Sequence, residues 1–174
     1  MQIHLSEVLS GENKTIQAQI PLELAQFPYQ SESYPIVSKK PIELTVTHVG
    51  KKEITIRAKA DVVIQIPCDR CLADVDTEFH LDIQRGVDLN LTEEDRRNEL
   101  DECSYLDGLQ LDVDRLVFDE ILLNWPMKVL CREDCRGICK RCGQNLNEGS
   151  CDCDQTELDP RMAKIIDIFQ NSKE

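Results

Sequence analysis

Apolar and polar residues alternate with period two through much of the first half of the chain. Ile42, Leu44, Val46 and His48 interleave with Glu43, Thr45, Thr47 and Val49, and Gly50-Lys51-Lys52 marks a turn. The alternation resumes with Ile54, Ile56, Ala58 and Ala60 and continues through Val62, Ile64 and Ile66 up to Pro67. It returns at Val75, Thr77, Phe79, Leu81 and Ile83, with Asp76, Glu78, His80 and Asp82 on the other face. Val87, Leu89 and Leu91 stay in phase beyond Gly86. Period two over such lengths predicts strands with one dry and one wet face, hence an antiparallel sheet. Shorter strands are expected near Ile3–Leu5 and Thr15–Pro21, so that residues 1–91 read as β structure, either an open sheet or a small barrel.

The pattern then changes. Thr92–Gly108 is an acidic break, expected as a solvated loop. A helix opens at Asp112 or Asp114, carries Val113, Leu116, Val117 and Ile121 on one face, and ends at Trp125-Pro126. Trp125 is expected to plug the core beside that helix; stacking on a nucleobase is the sharper alternative. A second helix is predicted from Asp159 and Pro160, with Met162, Ile165, Ile166 and Phe169 sharing a face. The chain therefore reads as an α+β protein with a β-rich antiparallel part and two helices. Residues 1–125 are expected to form the core, and residues 126–174 a cysteine-rich extension with the last helix.

Six of the nine cysteines fall between Cys131 and Cys153. Cys139-x2-Cys142-Gly143 has the form of a metal knuckle, because two thiolates three positions apart can grip one ion while glycine lets the chain fold back. Cys151-x-Cys153 returns a second pair, and four thiolates at this spacing suit tetrahedral zinc. An iron–sulfur cluster also takes four thiolates and stays an alternative, as do disulfides or free thiols. Cys68-Asp-Arg-Cys71 lies at a hairpin tip. A redox thiol prefers a helix N-terminus, so metal or structural roles are favoured there. Setting Cys103 aside as a bystander leaves two tetrads, and Cys68 and Cys71 would meet Cys131 and Cys135 in the second. Free or merely structural thiols are the competing reading of that group.

Net charge is −13, which opposes nonspecific attraction to nucleic acid or anionic membranes. The distribution is uneven: residues 88–121 hold twelve acidic side chains against three Arg, whereas residues 126–145 hold five basic against two acidic. Each zinc with four thiolates carries two net negative charges, which offsets much of that basic excess. Met1-Gln-Ile-His-Leu lacks the basic and long apolar segments of a signal peptide, and no apolar run approaches a membrane span. A cytoplasmic chain with reduced thiols is expected, with no membrane partner. His4, His48 and His80 are scattered on expected strands as ordinary surface or core residues. No Ser-His-Asp set, phosphate-cradling glycine loop or spaced carboxylate pair marks catalysis, so no enzyme and no small-molecule substrate are expected.

The combination resembles the YceD-like proteins, the large ribosomal RNA subunit accumulation family. The resemblance rests on Cys68-Asp-Arg-Cys71-Leu72, Glu120-Ile-Leu-Leu-Asn-Trp-Pro126-Met, the cysteine series from Cys131 to Cys153 with Asn145-Leu-Asn147, and Asp159-Pro160-Arg161. It spans about residues 36–170, and the ordered set is more specific than any one piece. Some family members lack the tail cysteines, which implies a structural metal. The resemblance implies a non-enzymatic role in 23S rRNA accumulation or processing in the cytoplasm, and we expect from it a part in large-subunit assembly. Our own reading of the residues adds contacts to rRNA phosphates from Lys128, Arg132, Arg136, Lys140, Arg141 and Arg161. The acidic balance favours instead a chaperone for a basic large-subunit ribosomal protein. A third class, a thiol-disulfide oxidoreductase, would use Cys68 and Cys71.

Overall fold

The structure is a computed structural model that describes residues 1–11, 13–50, 53–91 and 103–153. The predicted helix beyond Asp159, together with Arg161, lies outside the described residues, as does most of the acidic break. The chain divides into two compact units: Met1–Pro67 with Asp74–Val129, and Cys68–Ala73 with the chain from Leu130 onward.

The first unit is built on a long hairpin. Strands β6 (Glu53–Pro67) and β7 (Asp74–Asp88), each of 15 residues, pair antiparallel without a slip from Glu53 opposite Asp88 to Pro67 opposite Asp74. The alternation read from sequence accounts for this: Ile54, Ile56, Ala58, Ala60, Val62, Ile64 and Ile66 are all buried on one face. The other edge of β6 is shared end to end by β4 (Glu32–Lys39) and β5 (Ile42–Val49). Pro41 separates these two, and the Lys40 N–H bonds the Asp61 carbonyl at 3.0 Å, so the ladder carries across the gap. Strand β2 (Thr15–Ile20) extends the sheet beyond β5, and β3 (Gln26–Tyr29) beyond β4. Among the described residues the sheet does not close into a barrel, because β2, β3 and β7 each pair with a single neighbour. The sheet form of the expectation stands, and the barrel form does not.

A second, small sheet joins β1 (Gln2–His4) to β9 (Gln110–Asp112), which pairs with β8 (Leu106–Asp107). This corrects the reading of Thr92–Gly108 as a solvated loop throughout, since its described end carries β8 and a buried Tyr105. The apolar residues Tyr105, Leu106 and Leu111 win over the acidic composition there. A short helix, α1 (Ser6–Leu9), buries Val8.

Helix α2 (Val113–Leu123) starts where expected, with the Asp112 side chain accepting the Arg115 N–H at 3.1 Å. Its face of Val113, Leu116, Val117 and Ile121 joins the buried residues of the sheet in one core. At its end Trp125 is stacked on Phe27 and Tyr29, with ring centroids 5.0 and 4.7 Å away, and on Phe79 at 5.9 Å. The core-plug expectation for Trp125 therefore agrees with the structure, and its ring faces are already engaged by aromatic neighbours. His48 is buried and its Nδ1 lies 2.8 Å from the Gly11 carbonyl, while Nε2 finds no hydrogen-bond partner among the described residues.

Candidate functional site

The alternation of β6 stops at Pro67 and that of β7 starts at Asp74, which leaves Cys68–Ala73 as a loop between them. The loop closes on itself: the Cys68 N–H bonds the Ala73 carbonyl at 2.8 Å, and the Leu72 N–H bonds the Cys68 carbonyl at 2.9 Å. Leu72 takes a left-handed backbone to complete the turn, with φ +60°. The fold of this loop turns Cys68 and Cys71 toward Cys131 and Cys135 of the same unit. Cys68 Sγ lies 3.8 Å from Cys135 Sγ, and Cys71 Sγ lies 3.5 Å from Cys131 Sγ.

Those separations fit one ion. Four sulfurs about 2.3 Å from a central zinc stand about 3.8 Å from one another in a regular tetrahedron. A disulfide would need about 2 Å. All four Sγ atoms of Cys68, Cys71, Cys131 and Cys135 lie within 4.8 Å of one another, and so do those of Cys139, Cys142, Cys151 and Cys153. Each tetrad can hold a metal ion. Both are the sets expected from sequence, and Cys103 stands apart, taking a 3.5 Å hydrogen bond from the Tyr105 hydroxyl.

The backbone around the first tetrad is held by Arg70. Its carbonyl accepts the Ile138 N–H at 3.0 Å, and its guanidinium donates to the Cys135 carbonyl at 2.7 Å. Gly137 makes that approach feasible: it sits at φ +78°, and a Cβ there would stand 2.9 Å from the Arg70 carbonyl oxygen. The second tetrad is formed by a tight knuckle. The Gly143 N–H returns to the Cys139 carbonyl at 2.8 Å, with Gly143 at φ +74°, and the Cys139 N–H bonds the Gln144 carbonyl at 2.8 Å.

The thiols are electrostatically unequal. Burial opposes ionisation of Cys68, but backbone N–H groups of Arg70, Cys131 and Cys71 outweigh it and bring its pKa to about 6. The N–H groups of Cys142 and Arg141 bring Cys139 likewise to about 6. Cys131 is pushed up to about 12, first by its hydrogen bond to Cys71 and then by burial, and Cys153 to about 12 by Cys142. Each group thus favours some thiolate but resists accumulating four like charges. A central cation removes that resistance.

The expected phosphate contacts are divided. Arg132, Arg136, Lys140 and Arg141 are exposed in the tetrad-bearing unit, Lys128 is exposed in the other, and Arg161 lies outside the described residues. Arg132 Nε is 3.4 Å from Asp134, so part of the basic charge is locally balanced. Sequence reasoning did not single out Arg70, whose only signal is its place inside the Cys68/Cys71 loop. Among the described residues no helix is long and apolar enough to cross a membrane.

An uncharacterized protein of Mycobacterium tuberculosis H37Rv is 27% identical over 102 residues, which cover 59% of this chain and 49% of that protein. A Mycobacterium bovis protein, also uncharacterized, matches to the same extent. The matched region thus spans about half the length of these mycobacterial relatives, at 49%. The chloroplastic YCED homolog 1 of Arabidopsis thaliana, a large ribosomal RNA subunit accumulation protein, is 34% identical over 50 residues, 29% of this chain and 16% of that one. No solved structure matches the chain. The model of the family described as large ribosomal RNA subunit accumulation protein YceD matches residues 56–169, a span that holds the long hairpin's apex, α2 and all eight clustered cysteines. The chain belongs to that family.

Proposed function

We propose that the protein is a non-enzymatic, cytoplasmic factor for accumulation of large-subunit ribosomal RNA, which carries two structural zinc ions and touches RNA phosphates with its knuckle. The observation that carries this reading is the pair of four-thiol constellations inside the family match. Zinc is favoured over an iron–sulfur cluster by spacing. A cluster spreads its thiolates over several irons, whereas four sulfurs all within 4.8 Å of one another suit a single ion. Arg132, Arg136, Lys140 and Arg141 are exposed on the segment that the ions would fix, and a fixed backbone lowers the entropy cost of meeting a phosphate. Met1–Pro67 with Asp74–Val129 serve as the scaffold, and the Cys68–Ala73 loop with the chain from Leu130 onward as the binding unit.

Elemental analysis of reduced, freshly purified protein should find two zinc ions per chain; neither zinc nor iron would end the metal reading. Affinity for 23S fragments should fall with salt, with a log–log slope of about −0.7 per phosphate contact on single strands. Replacing the four knuckle cations by Gln should flatten that slope while zinc content stays the same. Retained metal with unchanged RNA affinity and slope would refute the phosphate contacts.

The exposed row Asp74, Asp76, Glu78 and Asp82 on β7 favours a second reading, a chaperone for a basic ribosomal protein. Crosslinking in cells separates the two by whether RNA or a basic protein is captured. A thiol oxidoreductase finds less support, because Cys68 and Cys71 are buried and gathered with Cys131 and Cys135 in a four-thiol set suited to an ion.

A further inference from the structure

We infer that Asn147 couples the two metal centres, so that filling one tightens the other. The inference rests on the zinc reading above and adds a residue with a distinct task. The two tetrads are neighbours in sequence, with only Arg136-Gly137-Ile138 between Cys135 of the first and Cys139 of the second. Asn147 belongs to neither, yet it lies in the loop that closes the second, between Cys142 and Cys151.

Its side chain reaches back to the first. The Arg136 N–H meets Asn147 Oδ1 at 2.7 Å, and Asn147 Nδ2 stands 3.3 Å from Cys135 Sγ and 2.9 Å from Asn145 Oδ1. The amide orientation follows from chemistry. A backbone N–H can only donate, so oxygen must face Arg136 and nitrogen must face the sulfur. The loop is positioned by further bonds: Leu146 N–H to the Gly137 carbonyl at 2.8 Å, and Asn147 N–H to Asn145 Oδ1 at 3.0 Å. Ile138 and Asn145 also form an antiparallel bridge. The loop of one centre therefore presents an N–H donor to a ligand of the other.

A donor of this kind stabilises the thiolate and holds its lone pairs toward the ion. Groups that orient metal ligands typically contribute about ten- to a hundredfold in metal affinity. With the second ion bound, Cys139, Cys142, Cys151 and Cys153 close the loop and Asn147 is held in place. Without it, the first centre must order that loop at its own cost. Linkage makes the effect reciprocal, so the first ion favours the second by the same factor.

The test uses the whole 174-residue chain as reduced apoprotein, with cobalt(II) as spectroscopic probe and zinc in chelator competition. Asn147→Asp keeps the oxygen that accepts from Arg136 but has no N–H for Cys135. It should weaken the first centre about tenfold or more. Cys151→Ser, which disables the second centre, should weaken the first similarly, and adding Asn147→Asp to it should cost little more. In a Cys68→Ser background, where only the second centre binds, Asn147→Asp should leave affinity unchanged. Asn147→Ala supplies a further readout, because loss of the N–H···S bond should move the thiolate-to-cobalt absorption to longer wavelength. Uptake of fewer than two ions by the parent protein overturns the two-zinc reading and this inference together. Two ions bound with affinities indifferent to Asn147→Asp and Cys151→Ser overturn the coupling alone. A full penalty from Asn147→Asp in the Cys151→Ser background also overturns it, since Asn147 would then act without the second centre.

Discussion

Two glycines with nearly the same backbone play unequal parts. Gly143 follows the Cys139/Cys142 pair, takes φ +74°, and has nothing within 4 Å of where a Cβ would stand. Gly137 takes φ +78° and has the Arg70 carbonyl oxygen 2.9 Å from that position. Gly137→Ala should therefore cost the left-handed penalty of about 1–2 kcal/mol and also push Arg70 off Ile138 and Cys135. Gly143→Ala should cost that left-handed penalty of about 1–2 kcal/mol alone. Denaturant unfolding of the zinc-loaded variants, with zinc retention against a chelator, would check the contrast. Equal losses from the two would show that crowding at Arg70 carries no weight. Sequence reasoning picked out Gly143 because it completes a recognisable knuckle. Gly137 carries the heavier constraint, but its crowding partner is far upstream, and no local pattern reports such a contact.

At the level of elements, legibility followed length. The 15-residue strands β6 and β7 were readable because each repeats its alternation many times, and the stop at Pro67 placed Cys68 and Cys71 at the apex. Helix α1 has four residues and β8 only two, too few to establish a period, so neither was read. On the wet face of the hairpin, Asp61 of β6 stands opposite His80 of β7, their side chains 2.8 Å apart, with Lys40 also 2.8 Å from Asp61. The hydrogen bond that His80 donates to Asp61, then the Asp61 charge, raises the His80 pKa above the ordinary 6.5. The pair's stabilisation is accordingly complete below about pH 6.5 while Asp61 stays ionised, and it fades as pH rises through the higher folded value of His80. Both groups are exposed, so the effect on stability is small and is best read by NMR. The His80 ring should titrate above 6.5, and Asp61→Asn should bring it back toward that value. A midpoint at or below 6.5 in the parent protein would contradict the pairing.

Across the whole molecule the two units draw stability from different sources. The first has the buried faces of β5, β6, β7 and α2, whose Ile56, Ile64, Ile83 and Ile121 are fully buried and each contribute about 1.5–3 kcal/mol. The second offers little beyond its cysteines: among its described residues the buried apolar side chains are those of Cys68, Cys71, Cys135 and Cys139 alone. Cysteine counting made the two tetrads legible, because eight clustered thiols divide without remainder. It did not reveal Arg70 or the reach of Asn147, which depend on how the chain returns past itself. Metal binding in isolated zinc peptides is worth ~10–16 kcal/mol, and that free energy is folding free energy. Removing zinc with a chelator under reducing conditions should therefore cost residues 131–153 and the Cys68–Cys71 loop their amide protection. The strands over residues 42–66 and 75–83, with their own core, should keep theirs. Hydrogen exchange measured before and after chelation distinguishes the outcomes, and restoring zinc should bring protection back only where it was lost. Collapse of protection throughout residues 42–83 together with the tail would mean that the sheet, too, depends on the metal.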